Sequence, residues 1–494
     1  MCEPEKQEDL WVYREPSGYL DALCWRRGEM GFVADDLVGL PAGLAPERLA
    51  LDWDVITEIA KRPIDAPHCS PLAGITPVVP GDARPLDPAA PAVAVWRPGR
   101  FARSGLATGA DELRDIVLAS VGRLVSAEPR LLVEVSGGLD SAVVAAALVE
   151  AGRGADIAGA VNFYSARRAG DEREWAHAVC DAKGLRLDAA PQDTSALCEA
   201  DFAELASHAN PAYGGVDAPY DRGVAARAAA LGVSAVIGGQ GGDAVFFQMP
   251  TAAIAADFLA AHGPAGLADP FLTDLAQWLR RSVWSILWEV RRTKRWIGVE
   301  QPLSSRFWGW RARGAAAAAP HPWLTDLEGV PPAKQIQIQA LIGSQASWGR
   351  SRRAAVAKVI NPLLAQPLLE LGLATPSWRL VAGVRDRGLA RQAFRDLLPA
   401  PVLERHSKGA LNALFSQRAA AGLAFLRPHL LDGTLVEAGV LDGPAIDEAL
   451  QPDALLWRAE GARLTRAALL ESWVRHWQGR VPDLAATGRG AYSA

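Results

Sequence analysis

The amino-acid sequence predicts an α/β protein with a parallel β-sheet, a small β-rich part before the sheet and a helical part after it. Strand-like and helix-like segments alternate between residues 109 and 239. A Gly-containing turn joins the first of these strands to a helix, and Pro and Gly interrupt short strand-like pieces before residue 108. Together these patterns indicate repeated strand–helix–strand units.

Each element of the alternating region has its own signal. The first helix, at 109–125, has apolar residues at helical spacing: Leu113, Ile116, Val117, Val121 and Leu124. The apolar run LLVEV then predicts a buried strand, followed by the helix SAVVAAALVEAG. The pattern continues with strands at 157–165, 185–191 and 233–239 and helices at 171–184 and 221–232. Such alternation favours right-handed crossovers, with ligands bound at the carboxyl ends of the strands.

The predicted domains are residues 1–108 and residues 109–494. The boundary follows the loop-rich stretch PGDARPLDPAAPAVAVWRPGR, where the series of short strand-like segments ends. A Trp/Arg-rich helical insertion is predicted near 251–334 within the second domain.

Composition excludes several classes of protein. The 494 residues have a formal charge of −5, and the isoelectric point near 6.0 argues against a nucleic-acid partner. No apolar run is long enough to span a membrane, and the charged N-terminus is no signal peptide, so we expect a cytoplasmic protein without a membrane partner. The five cysteines lack C-x-x-C spacing, which argues against a zinc site or a disulfide framework.

The hexapeptide Ser136-Gly137-Gly138-Leu139-Asp140-Ser141 joins the first strand to its helix. Two glycines let the backbone turn sharply and approach a ligand, and the serine hydroxyls and free helix N–H groups favour an anion. A carboxylate among these donors suits Mg²⁺ bridging Asp140 to phosphate oxygens. The structural alternative is an ordinary strand–helix turn capped by a serine.

A second Gly-rich turn, Gly238-Gly239-Gln240-Gly241-Gly242-Asp243, follows the strand at 233–239. The turn thus lies at a strand's carboxyl end, where ligands bind in such sheets. It resembles the second motif of the asparagine-synthetase group, and this resemblance implies that Gly239, Gly241 and Gly242 lie beside the nucleotide, with Asp140 and Asp243 as the Mg²⁺ carboxylates. The alternative for Asp243 is a helix N-cap after a glycine turn.

The hexapeptide resembles the pyrophosphate loop of N-type ATP pyrophosphatases, and the second turn resembles that of the asparagine-synthetase group. The segment ARQAFRDLLPAPVLERHSKGALN is similar to that group's C-terminal signature. The resemblance implies an adenine nucleotide alpha hydrolase-like synthetase domain that uses ATP and Mg²⁺. It also implies that Lys408 faces the α-phosphate, with Arg405 as a second candidate. Two positions depart from the family pattern, because Ala244 and Ala365 stand where it usually has acidic residues.

The N-terminal part resembles a shortened, inactive glutaminase domain. Cys2 stands where such domains have their nucleophile, but Glu3 and Pro4 do not fit that active site. Without glutamine hydrolysis, the nitrogen must come from the substrate or from ammonia. Three features look most like those of lasso peptide macrocyclases: the shortened N-terminal part, the Gly-Gly-Gln-Gly-Gly-Asp form of the second turn and the Trp/Arg-rich insertion. Those enzymes join the N-terminal amine of a precursor peptide to an Asp or Glu side chain. This resemblance implies three partners: the precursor peptide, a leader peptidase and a leader-recognition protein.

Three residues are further candidates for substrate contact: Glu174, Trp284 and Trp288. Glu174 lies in an acidic helix start that also suits helix-dipole stabilisation, and the tryptophans could equally belong to a packed amphipathic helix. Two other functions remain open. One is asparagine-synthetase or β-lactam-synthetase-like amide formation on a small substrate, and the other is a non-catalytic nucleotide-binding scaffold.

Overall fold

The computed structural model describes residues 10–41, 43–62, 68–87, 89–165, 170–292, 305–315, 319–346, 349–405, 411–458 and 460–487. The strands in chain order are β1 Trp11–Tyr13, β2 Leu23–Arg27, β3 Met30–Ala34, β4 Ala50–Leu51, β5 Leu72–Ala73, β6 Thr76–Pro77, β7 Asp82–Pro85, β8 Val93–Ala94, β9 Leu131–Glu134, β10 Ile157–Tyr164, β11 Leu187–Pro191, β12 Ala235–Ile237 and β13 Lys358–Ile360.

The α-helices follow the same chain order. They are α1 Trp53–Lys61, α2 Pro98–Ala102, α3 Ala110–Leu124, α4 Leu139–Leu148, α5 Arg173–Lys183, α6 Ala200–Ala206, α7 Ala218–Leu231, α8 Gly242–Val245, α9 Ala253–His262, α10 Pro270–Trp278, α11 Val283–Arg292, α12 Trp310–Gly314, α13 Pro332–Ala346, α14 Arg352–Val356, α15 Gln366–Ala374, α16 Ser377–Leu380, α17 Gly388–Ala393, α18 Ala400–Glu404, α19 Leu411–Ala421, α20 Leu423–Leu431, α21 Thr434–Glu437, α22 Gly443–Ala449, α23 Pro452–Arg458 and α24 Gly461–Thr487.

The central sheet of the described chain has the strand order β11-β10-β9-β12-β13, and every neighbouring pair is parallel. The predicted α/β fold with a parallel sheet is therefore confirmed. The central strands β9 and β12 are buried throughout or nearly so, because helices cover both faces of the sheet. The strand order changes direction between β9 and β12, and the two Gly-rich motifs follow these two strands. Ligands bind at such switch points in open α/β sheets.

The residues before 108 form short antiparallel sheets, with orders β1-β7-β8, β3-β2-β6 and β4-β5 in the described part. Their core is shared with the end of the chain. Trp25 and Ile59 belong to the same buried cluster as Trp473 and Trp477 of α24, while the parallel sheet has a cluster of its own with α3 and α4. Among the described helices, none has the length and apolar character needed to cross a bilayer.

Candidate active site

The loop from Ser136 to Ser141 turns β9 into α4. Gly137 has a φ of +79°, and a Cβ there would lie 2.8 Å from the Glu172 carbonyl oxygen, so glycine is required. The Ser141 hydroxyl accepts from the Ser136 N–H at 3.1 Å and donates to the Gly138 carbonyl at 3.1 Å. These bonds fold the loop onto itself. Gly138 is the N-cap of α4 without a side-chain cap, so the positive end of a ten-residue helix faces this site.

The second motif packs its backbone directly on this loop. A Cβ at Gly239 would lie 2.6 Å from the Ser141 nitrogen, and one at Gly242 would lie 2.6 Å from Oδ1 of Asp140. Side chains at either glycine would therefore separate the two motifs. Gly241 takes the N-cap position of α8, and Asp243 follows inside the helix, so the N-cap alternative for Asp243 is not what the structure has.

Asp140 and Asp243 converge on one cationic atom. Nη1 of Arg387 donates to Oδ2 of Asp140 at 2.8 Å and to Oδ1 of Asp243 at 3.0 Å. The Asp140 and Arg387 side chains are largely buried, whereas that of Asp243 is half exposed. Burial lowers the pKa of Arg387, but the charges of Asp140, Asp243 and Asp386 outweigh burial and hold this pKa above its usual value. The guanidinium is therefore charged, and the two carboxylates bind it as a pair.

This arrangement fits a divalent cation held jointly with a nucleotide. The described residues contain no group of three or more His, Cys, Asp or Glu side chains suited to a metal ion. Mg²⁺ commonly takes only one or two carboxylates and completes its shell with phosphate oxygens and water. Asp140 and Asp243 would be those two carboxylates, with the phosphates supplied by a nucleotide at the N-terminus of α4.

Arg405, from the C-terminal part of the chain, contacts the loop formed by Ser136 to Ser141. Its Nη1 donates to the Gly137 carbonyl at 2.9 Å, and its guanidinium forms an ion pair with Glu172 and lies 4.0 Å from the Trp175 ring centroid. Of the two glutamates at the start of α5, Glu172 is thus the one linked to the loop through Arg405, whereas the side chain of Glu174 is exposed. Lys408, predicted to face the α-phosphate, lies outside the described residues.

A buried polar cluster lies at the end of β9, behind the second motif. The Tyr220 hydroxyl and Nη1 of Arg353 each donate to Oε1 of Glu134 at 2.6 Å. Burial and the Glu134 charge raise the pKa of Tyr220 well above its usual value, so it remains a hydrogen-bond donor. A Cβ at Gly238 would lie 2.5 Å from Oδ1 of Asn361. These contacts fix the carboxyl ends of β9, β12 and β13 relative to one another.

A cavity of about 760 Å³ lies between the N-terminal part and the edge of the sheet. Asn361 belongs to its wall and donates to Oε1 of Gln240 in the second motif at 3.5 Å. Its wall includes Tyr19 and Leu20 of the N-terminal part and Ile116 and Ala119 of α3. Ala365, at a usually acidic family position, also lines it. The other unusual alanine, Ala244, is buried, and its carbonyl accepts from Gln337 Nε2 at 3.0 Å.

Trp284 and Trp288 lie on the outer face of α11, where they are 80% and 61% exposed. The opposite face packs inward through Ile286, with Leu287 partly buried against the main core. The packed-helix alternative therefore holds for the aliphatic residues but not for the tryptophans. The guanidinium of Arg292 lies 4.5 Å from the Trp288 ring centroid. No described hydrogen bond or ring contact links either tryptophan to Asp140 or Asp243.

Sequence reasoning missed Arg387 and Asn361, and within the acidic stretch 171–175 it selected Glu174 and not Glu172. Arg387 precedes the C-terminal signature by three residues, and Glu172 precedes Glu174 by two. For Arg387, the signal in the sequence was the Asp386-Arg387-Gly388 turn before a short helix. Such a turn does not by itself indicate a binding or catalytic role. Only the fold brings Arg387 to Asp140 and Asp243.

Comparison with known proteins agrees with the site geometry. A search of curated proteins gives no match. The family model for asparagine synthase matches residues 112–475, which include both motifs, Arg387 and Arg405. Enzymes of this family form amide bonds at the expense of ATP. Because the match covers most of the chain, the protein belongs to the asparagine synthase family.

Proposed function

We propose that this protein is an ATP-dependent macrocyclase. It adenylates an Asp or Glu side-chain carboxylate of a precursor peptide and joins it to the peptide's N-terminal amine. The observation that supports nucleotide chemistry is the convergence of Asp140 and Asp243 beside the uncapped end of α4. Such a site suits a metal-bound triphosphate rather than a neutral ligand.

The proposed reaction has two steps. A carboxylate oxygen of the peptide attacks the α-phosphorus of ATP, and the bridging bond to the β-phosphate breaks, so pyrophosphate leaves. The peptide amine then attacks the acyl carbon, loses a proton and expels AMP. Mg²⁺, when bound, offsets the charge on the phosphates.

The chain's own groups bind and orient the reactants. The loop N–H groups and the N-terminus of α4 hold phosphate oxygens, and Arg405 keeps Gly137 in its turn. Both reacting groups of the peptide belong to one molecule, so holding them together lowers the entropic barrier to ring closure.

Two features favour a peptide over a single amino acid as substrate. The cavity of about 760 Å³ beside Asn361 has the size of a ligand site, and Ala365 in its wall cannot supply a carboxylate to an amino-acid amine. The exposed Trp284 and Trp288 add an aromatic surface of a kind common at peptide and protein contacts.

Pyrophosphate release provides the direct test. We expect release from Mg-ATP with a precursor peptide that has a free N-terminal amine and an Asp or Glu side chain, together with a product lighter by one water. Aspartate with ammonia should give no release. Asp140→Asn, which is close to isosteric, should abolish the signal. Release with aspartate and ammonia alone would contradict the proposal and indicate asparagine synthesis, and no release under any condition would favour the scaffold alternative.

The cavity can be tested separately by Ala119→Trp, which fills it from the exposed side of α3. We expect at least a tenfold loss of peptide affinity with unchanged nucleotide affinity. The matched control is Glu112→Trp, at an exposed position on the same helix and outside the cavity wall. Unchanged peptide affinity in the cavity variant would place the peptide elsewhere.

A further inference from the structure

Arg387 is surrounded by acidic side chains. Besides Asp140 and Asp243, it bonds Asp386, which lies 2.9 Å from Nε and 2.8 Å from Nη2. Arg391 shares Asp386 at 3.2 Å. Arg385 is a third guanidinium close enough to act on Asp386, Arg387 and Arg391, so the charges of the carboxylates and the guanidinium groups balance in this mostly buried cluster. A further cation can therefore bind these carboxylates favourably only by displacing a guanidinium group from them.

Arg387 and a divalent cation would compete for the same oxygens. Both carboxylates direct an oxygen to a single nitrogen, Nη1, at 2.8 and 3.0 Å. Mg²⁺ binds carboxylate oxygens at about 2.0–2.1 Å. A metal that took both oxygens would lie against the guanidinium, whose positive charge would repel it. Binding of the metal therefore requires Nη1 to leave.

The rest of Arg387 is anchored so that only the end of its side chain needs to move. Its backbone has a φ of +54°, and its N–H donates to the Phe247 carbonyl, just after the second motif, at 3.3 Å. Asp386 holds Nε from the other side. A guanidinium that gives up Asp140 and Asp243 stays beside the site, where phosphate oxygens are suitable acceptors.

We infer that Arg387 occupies the metal position while nucleotide is absent and is exchanged for the divalent cation when nucleotide arrives. This inference rests on the proposed nucleotide site but not on the identity of the peptide. Arg387 is then a positioning residue that keeps Asp140 and Asp243 in register. It also makes metal binding depend on nucleotide, because phosphate oxygens give the displaced guanidinium new partners. By linkage, metal and nucleotide each strengthen the binding of the other.

The test is a Mn²⁺ titration of the full chain, followed by electron paramagnetic resonance, without peptide. Wild-type protein should bind free Mn²⁺ weakly and gain at least about tenfold in affinity when α,β-methylene-ATP is present. Arg387→Gln should bind free Mn²⁺ about tenfold more tightly than wild type and gain little from the nucleotide analogue. Arg387→Lys keeps the positive charge but lacks the two-pronged guanidinium group, so its affinity for free Mn²⁺ should fall between those of wild type and Arg387→Gln.

Arg395→Gln is the matched control, since Arg395 is exposed and pairs only with a neighbouring surface aspartate among its described contacts. It should behave as wild type. A folded Arg387→Gln protein with wild-type affinity for free Mn²⁺ would overturn the inference. If the glutamine variant does not fold, a lysine variant that binds free Mn²⁺ no more tightly than wild type would overturn it equally. A protein that fails to cyclise peptide but shows the exchange would refute the proposed function and leave this inference standing.

Discussion

Arg405 donates a hydrogen bond of 2.9 Å to the carbonyl oxygen of Gly137, across 268 residues of chain. This bond connects the C-terminal signature to the loop proposed to hold pyrophosphate. The same guanidinium pairs with Glu172 and lies over Trp175, so three segments meet at one side chain. Arg405 therefore helps to maintain the shape of the loop.

Replacing Arg405 should damage both stability and turnover. Arg405→Gln removes the ion pair with the largely buried Glu172 carboxylate, which should lower the free energy of unfolding by about 2–3 kcal/mol. Denaturant titration and pyrophosphate release measure the two effects. The double variant Arg405→Gln/Glu172→Gln also removes the carboxylate charge of Glu172, so it should recover stability but not pyrophosphate release. Full turnover in the single variant would show that the Gly137 contact is dispensable.

Gly242 should tolerate no side chain, because a Cβ there would lie 2.6 Å from Oδ1 of Asp140. Gly242→Ala must push the two motifs apart, and we expect at least a hundredfold loss of ATP-dependent pyrophosphate release. The matched control is Gly479→Ala in α24, where a Cβ meets nothing within 4 Å. That change should stabilise the protein by up to about 1 kcal/mol and leave turnover unchanged. Equal activity in both variants would argue against close packing of the motifs.

The pair His68 and His321 should make the protein sensitive to mild acid. Their rings lie 4.6 Å apart, and burial, together with the Arg62 charge, lowers the pKa of His68 to about 4. Because the unfolded chain takes up this proton near pH 6.5, stability is lost as the pH falls from about 6.5 to about 4.

Between pH 7.5 and pH 5.0, His68 should account for about 2 kcal/mol of lost unfolding free energy. Urea titrations at the two pH values should therefore show a smaller loss for His68→Asn than for wild type. Identical losses in the two proteins would mean that His68 is as easily protonated in the folded state as in the unfolded one.

The exposed tryptophans of α11 can be removed without disturbing the core. Trp284→Ala/Trp288→Ala should change unfolding free energy by less than about 1 kcal/mol, since both side chains face solvent. We expect weaker peptide binding and unchanged ATP binding, measured by titration calorimetry. By contrast, Ile286→Ala on the buried face should cost about 2–5 kcal/mol of stability. Wild-type peptide affinity in the double variant would exclude this face from substrate binding.

Local patterns were sufficient to predict much of the sheet. The helix predicted at 109–125 is α3, and the strands predicted at 131–135, 157–165, 185–191 and 233–239 are β9 to β12. Each has a periodicity or an apolar run that is independent of distant residues. The Gly-containing turn from Ser136 to Ser141 was recognisable for the same reason, because its six residues are contiguous.

Contacts between distant segments could not be predicted in this way. The edge strand β13 has only three residues and is followed by Pro362, so its pairing with β12 leaves no periodic signal. Arg387 lies 247 residues from Asp140 and 144 from Asp243. The shared core of the N-terminal sheets and α24 was equally hidden, because each partner alone shows only an ordinary apolar face.

That shared core has a consequence for biosynthesis. The strand β4 packs against α24, and Trp25 and Trp473 belong to one buried cluster, although roughly 450 residues separate them. At about 5–20 residues per second, a ribosome needs about 20–90 seconds to pass from one to the other. During that time the apolar side chains of the N-terminal sheets cannot pack against those of α24. Until α24 emerges, the nascent chain exposes a surface that chaperones would recognise.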